Sequence, residues 1–318
     1  MPLAHNRLIA GAAFVSLAAL LVHAQLAARA SPTTPQQAID LAQHGHCKEA
    51  VLLLKRMLPQ VTDKALKYDA RISVVRCAMA LDQEQTAADT LLQLKRDEPD
   101  NPEILYLATH YFSELGIRAA QQLQAQAPAS YQARRLEAEA LESQGKNDEA
   151  AAIYRKILED NPKVPGIHYR LGQIALDRAG PNGSTDEAKA DFRSEVDVDP
   201  SNASAQFVLG ELARRAGDWN EAISRFSQAT KLDAGFSEAY LALGMSLAAS
   251  GQFAQAISPL ETYVKIQPED PAGHYQLAIA YSRTGNKDGA TREMQLQAQA
   301  AARIKSPADT TEGHPVHP

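Results

Sequence analysis

The chain has 318 residues, 45% hydrophobic and 22% charged, which are ordinary values for a water-soluble protein. Its formal net charge of −6 and pI near 5.9 leave no global basic field to hold a nucleic acid. Basic pairs such as Arg134 with Arg135 and Arg214 with Arg215 read as solvated helix surface.

Residues 1–30 read as a targeting segment. His5, Asn6 and Arg7 form a polar start, Leu8 to Val22 is an apolar run, and two small-x-small sites follow, Val22-His23-Ala24 and Ala28-Arg29-Ala30. This is the pattern of a cleaved secretory signal; the alternative is an uncleaved anchor using Leu8 to Ala28 as a stretched span. Either way the rest of the chain faces an extracytoplasmic space.

From residue 31 onward apolar and small residues recur with a long period. Residues 31–67 carry Leu41, Gly45, Ala50, Leu54 and Met57, and residues 68–101 carry Ala78, Ala87, Leu91, Leu94 and Pro99. Residues 102–130 are short and degenerate, with Leu107, Ala108, Tyr111, Gly116 and Ala120 in matching places. Residues 131–164 return to the pattern with Leu141, Gly145, Ala150, Tyr154, Ile157 and Pro162. Residues 165–202 follow with Leu171, Gly172, Ala175, Ala188, Phe192 and Pro200, and take up four extra residues in an enlarged turn, Gly180 to Ser184.

The last three units are regular. Leu209, Leu243 and Leu277 are 34 residues apart, as are Gly217, Gly251, Gly285 and Ala222, Ala256, Ala290. A period of this length means stacked helical hairpins, and within each unit the apolar residues fall at helical three and four residue steps. Gly210, Gly244 and Ala278 are small where two helices must approach, the glycines at 217, 251 and 285 stand between the helices, and Asp218 is placed to cap the second helix. Thr291 to Ile304 is a closing helix, and residues 305–318 form a tail expected to be disordered.

These residue types at these offsets resemble the tetratricopeptide repeat family over nearly all of the chain after residue 30. The resemblance implies an all-α fold, a right-handed α-solenoid of about eight stacked helix-turn-helix hairpins: divergent units over 31–130 and a regular array over 131–304. It also implies a non-enzymatic scaffold for protein–protein interaction. The first helix of each unit lines a concave groove, and carrying the groove positions over gives Arg135 and Glu139, Tyr169 and Gln173, Phe207 and Glu211, Leu241 and Met245, and Tyr275 and Ile279, with Arg214 beside them. Tyr169, Phe207, Leu241 and Tyr275 would form an apolar stripe for an extended peptide or a helix, unless neighbouring helices bury it as an extension of the core. The rival function is an assembly subunit of an envelope complex that packs through its convex face or ends.

Cys47 and Cys77 are the two cysteines, and a solenoid places their helices side by side. A disulfide that braces the N-terminal end and a pair of unbonded core thiols both remain open. His44-Gly45-His46-Cys47 falls in an inter-helix turn and matches no zinc spacing, and His314 and His317 lie in the tail, so neither group reads as a metal site. Acidic pairs such as Glu137 with Glu139 and Asp197 with Asp199 point to different helix faces. No nucleophile elbow, P-loop or dinucleotide fingerprint occurs. The expectation is therefore no catalytic residue, no cofactor and no metal, with a protein or peptide partner in the periplasm, envelope or secreted space, no nucleic acid, and membrane contact only through an uncleaved N-terminus. Partner identity and oligomeric state are not encoded in a motif.

Overall fold

The computed structural model describes residues 34–180 and 183–305. Residues 1–33, with the expected targeting segment, and residues 306–318, with His314 and His317, lie outside them, as do Pro181 and Asn182 of the expected enlarged turn. The described residues form fifteen α-helices and one short 3-10 turn, Leu58–Gln60. The helices group into two compact units, one ending at Gln122 and the other beginning at Leu123.

The first unit contains α1 (Pro35–Gln43), α2 (Cys47–Met57), α3 (Lys64–Ala80), α4 (Glu84–Asp97) and most of α5 (Pro102–Gln126). Leu54 and Ile39 bury against Ala70 and Val74, and Leu91 and Leu94 against Val75, Ile104 and Tyr111. Cys47, the first residue of α2, and Cys77 in α3 are joined by a disulfide, with their Cα atoms 4.9 Å apart.

The second unit continues with α6 (Tyr131–Ser143), α7 (Asn147–Asp160), α8 (Ile167–Ala179), α9 (Asp186–Val198), α10 (Ala203–Arg215), α11 (Trp219–Leu232), α12 (Ser237–Ala249), α13 (Phe253–Ile266), α14 (Pro271–Arg283) and α15 (Lys287–Lys305). Each even-numbered helix here packs on the odd-numbered one that follows it, closing a hairpin, and each second helix packs on the next first helix. The core therefore grows one hairpin at a time.

The turn between α10 and α11 shows why the sequence makes hairpins. Gly217 has φ 76°, a region closed to most side chains, and this lets Asp218 N–H donate back to Ala213 O (2.9 Å) and Gly217 N–H to Arg214 O (3.1 Å). Asp218 then accepts from the Glu221 N–H at 3.0 Å and starts α11. Inside the hairpin, a Cβ on Gly210 would lie 2.7 Å from the Phe226 ring, so the slot must be small for Phe226 to be fully buried. Burial of such a ring is worth about 1.5–3 kcal/mol.

Two buried carboxylates also fasten the second unit. Glu195 in α9 accepts from the backbone N–H groups of Gly166 (2.8 Å) and Tyr169 (3.2 Å), satisfying the start of α8 from a neighbouring helix. Glu293 in α15 lies 2.7 Å from His274 Nδ1, while His274 Nε2 is 3.0 Å from Pro268 O.

The expectation of about eight hairpins is corrected here. Residues 102–126 form one continuous helix rather than a third hairpin, leaving seven hairpins and one single long helix among the described residues. Gly116 occupies the turn slot, yet it has no positive φ. The residues after it, Ile117-Arg118-Ala119-Ala120, are helix formers with no capping side chain, and Arg118 bonds back one turn to Glu114 (2.5 Å) and across to Asp82. In the preceding hairpin Asp82 itself makes the turn, with φ 58°.

Candidate functional site: the open row of first helices

Within the second unit α10 contacts α12 and α12 contacts α14, so the first helices of successive hairpins run side by side and present one row of residues. None of the eleven residues expected to line the groove is fully buried, and they fall into three kinds. Tyr169, Phe207 and Leu241 are half-buried: Tyr169 packs edge-on against Phe192 (5.4 Å between ring centroids), Phe207 sits between Phe226 (5.5 Å) and Phe236 (4.9 Å), and Leu241 packs on the core around Leu260. These three therefore offer the row one flank only. Met245 and Tyr275 stand open, 37% and 47% exposed, with half-buried Ile279 one turn beyond Tyr275.

The polar members are paired with each other. Arg135 Nε donates to Glu139 Oε1 (2.9 Å) and its Nη1 to Pro165 O (3.3 Å). Gln173 Nε2 donates to the Tyr169 hydroxyl (3.4 Å) while its Oε1 accepts from Arg170 (3.3 Å). Arg214 donates to both oxygens of Glu211, at 3.0 and 2.8 Å. Those hydrogen bonds raise the Arg214 guanidinium above its already high range, so it keeps its positive charge on the row.

Counting the same register into the first unit places Ile72 and Arg76 on α3 and Tyr106 and His110 on α5 at the corresponding slots, which the sequence reading passed over. Tyr106 is 64% exposed and its ring lies 4.3 Å from that of His110. Ile72 and Arg76 line a cavity of about 310 Å³ together with Ile39, Tyr68, Glu103 and the disulfide. Its polar wall is closed on itself: Glu103 accepts from Tyr68 OH (2.8 Å) and from Arg76 Nη2 (2.7 Å). Burial, then the bond to Glu103, pushes the Tyr68 phenol up to about 12. The signal for these residues was the offset from Ala87 and from Pro102, which the irregular spacing of residues 102–130 obscures.

No group of three or more His, Cys, Asp or Glu side chains among the described residues could hold a metal ion. Cys47 is taken up by the disulfide, and His44 Nδ1 lies 2.7 Å from Asp40 O. No described helix is long and apolar enough to cross a membrane.

Residues 131–174, 169–235 and 213–275 each match the tetratricopeptide repeat. Residues 131–275 are tetratricopeptide repeats. No curated protein matches it. Solved structures similar to parts of it include MamA, 22% identical over 53% of this chain and 96% of that one with a TM-score of 0.47, and MamA 41-end from Desulfovibrio magneticus RS-1, at 15%, 54%, 95% and 0.46. A third is YrrB, a TPR protein with an unusual peptide-binding site, at 20% identity, 58% of this chain, 93% of that chain and a TM-score of 0.49. The matched residues 131–275 run from α6 into α14 and include ten of the eleven residues of the row, all but Ile279.

Proposed function

We propose that this tetratricopeptide-repeat protein is a non-enzymatic interaction scaffold acting outside the cytoplasm, holding a protein partner as an extended peptide or a helix along the first helices of its second unit. The observation that carries the reading is the open pair Met245 and Tyr275, on adjacent first helices, beside the charged Glu211–Arg214 pair. Large apolar side chains left bare next to fixed charges supply anchor energy and register to a bound segment. The Cys47–Cys77 disulfide supports an oxidising compartment, as does the signal-like segment of residues 1–30.

The test is a crosslinking pull-down from envelope and secreted fractions, comparing the wild type with a Met245→Asp/Tyr275→Asp variant and with Gln228→Asp on the exposed side of α11. These exposed positions are better probes than Phe207, whose contacts with Phe226 and Phe236 would be lost with it. Partner recovery should fall with the double variant alone; equal recovery from all three would contradict the reading. Sequencing the N-terminus of the mature chain should find it starting after Ala24 or Ala30; a chain that retains Met1 would contradict cleavage. A second reading, an assembly subunit that packs through other surfaces, is favoured by the bare apolar face of α5 around Leu105 and Phe112.

A further inference from the structure

The two sulfurs of the Cys47–Cys77 disulfide stand in unlike surroundings. Cys77, late in α3, is 1% exposed and clusters with Ala50 and Val51 under Leu41, Ala42 and Leu81. Cys47 is half-buried and meets open space in two directions. It shares the wall of the 310 Å³ cavity with Cys77, and without Cys77 it lines a cleft of about 410 Å³ formed with Gly45, His46, Lys48, Glu49 and Leu81. A sulfur that enters this cleft reaches Cys47 alone.

Charge favours the same residue. Thiol–disulfide exchange runs through a thiolate that attacks and a thiolate that leaves. Cys47 is the first residue of the eleven-residue α2, and His46 before it makes no side-chain cap. No side chain at the cap therefore competes with the Cys47 sulfur for the N–H groups that open the helix, and the helix start stabilises negative charge there. Lys48 beside it adds to this and Glu49 opposes it. Around Cys77 the neighbours are apolar, which disfavours a thiolate.

We propose that Cys47 is the sulfur through which this chain exchanges with the disulfides and thiols of other molecules, with Cys77 as the resolving partner. In the reduced chain the Cys47 thiolate attacks an external disulfide. A bond forms between Cys47 and one external sulfur, the external S–S bond breaks, and the departing sulfur takes up the proton that Cys47 lost. Cys77 then attacks the Cys47 sulfur across the 4.9 Å Cα separation. The bond from Cys47 to the external sulfur breaks, and that sulfur leaves with the proton from Cys77. The two cysteines lose two electrons and the external disulfide becomes two thiols. Reduction retraces these steps, so it also begins at Cys47. This inference is independent of the partner-binding row, which uses other helices.

The test is the rate at which glutathione disulfide forms a mixed disulfide with the mature full-length chain, followed by mass spectrometry. Cys77→Ala leaves the Cys47 thiol and Cys47→Ala leaves the Cys77 thiol, with circular dichroism to establish that both variants are folded. Cys47 should react at least about tenfold faster in the folded chains, and the two rates should agree within about threefold in guanidinium, where the surroundings are lost. A second measurement needs no variant: when glutathione reduces the wild type, acid quenching and peptide mapping should find glutathione on Cys47. Equal rates in the folded variants, a faster Cys77 or glutathione mapped to Cys77 overturns the proposal. So does a rate difference that survives guanidinium, because the fold would then not be its cause.

Discussion

The helices α5 and α10 share a repeat register but not a fate. Both bury one face into their own unit, and both leave the row-facing slots open, Tyr106 and His110 in α5 and half-open Phe207 and Glu211 in α10. They differ in the face between. In α10 it is closed by α11 after the turn at Gly217, with Gly210 pressed on Phe226; in α5 it stays bare because Gly116 continues as helix. A turn-slot glycine thus permits a hairpin without imposing one. The turn forms where the next residues cap a new helix, as Asp218 does, and fails where they propagate the old one, as Ile117 to Ala120 do. What survives in both regions is the open row, the part a scaffold would use.

The largest test of closure lies at the end of the regular region. Replacing His274 by Ala empties a buried site and removes the 2.7 Å contact to Glu293, which keeps Arg292 at 3.4 Å, and chemical unfolding should report a loss of about 2–5 kcal/mol. A loss under about 1 kcal/mol would mean that the last hairpin is not held by this pair. The first unit has its disulfide instead. A Cys47→Ser/Cys77→Ser variant should lose about 2–4 kcal/mol, and a reducing agent should lower the melting temperature of the wild type but not of the variant.

The glycines sharpen the contrast by sign. Gly210→Ala puts a Cβ against the Phe226 ring and should cost about 1–3 kcal/mol. Gly217→Ala should cost about 1 kcal/mol or more through its positive φ. Gly116→Ala, in a continuous helix with open space around it, should instead stabilise by about 0.8–1 kcal/mol. A destabilising Gly116→Ala would show that residues 102–126 turn at this point after all. A further effect is alkaline. The Tyr68 phenol is raised from 10 to about 12, so its contribution to stability is complete below pH 10 and is lost as pH rises from 10 through 12. Glu103→Gln should bring the ultraviolet titration of Tyr68 back toward 10; an unmoved titration would mean that burial alone sets it.

Much of this was legible in the chain. The 34-residue spacing of Leu209, Leu243 and Leu277, the close-packed slot at Gly210, the turn at Gly217 and the cap at Asp218 all follow from local rules that the tertiary structure reinforces. The uninterrupted α5 was not legible, because Arg118 is held in part by Asp82 from a different hairpin. The cysteine pairing stayed open in sequence because it depends on a Cα separation of 4.9 Å across two helices. Glu195 reads as one more surface acid until Gly166 and Tyr169 are seen to donate to it. On the row, the division of Phe207 from Tyr275 was hidden for a similar reason: Phe236, just before α12, covers one ring and nothing equivalent covers the other.

The central claim, that the open row holds a protein partner, is tested most directly by placing a photo-reactive phenylalanine analogue at Tyr275 and, separately, at Gln228. With the chain expressed in its own host and irradiated in intact cells, the Tyr275 position should give a discrete crosslinked protein band that is competed by excess unlabelled wild type, and the Gln228 position should not. A band at Gln228 with none at Tyr275 would contradict the account and move the binding surface to the second helices.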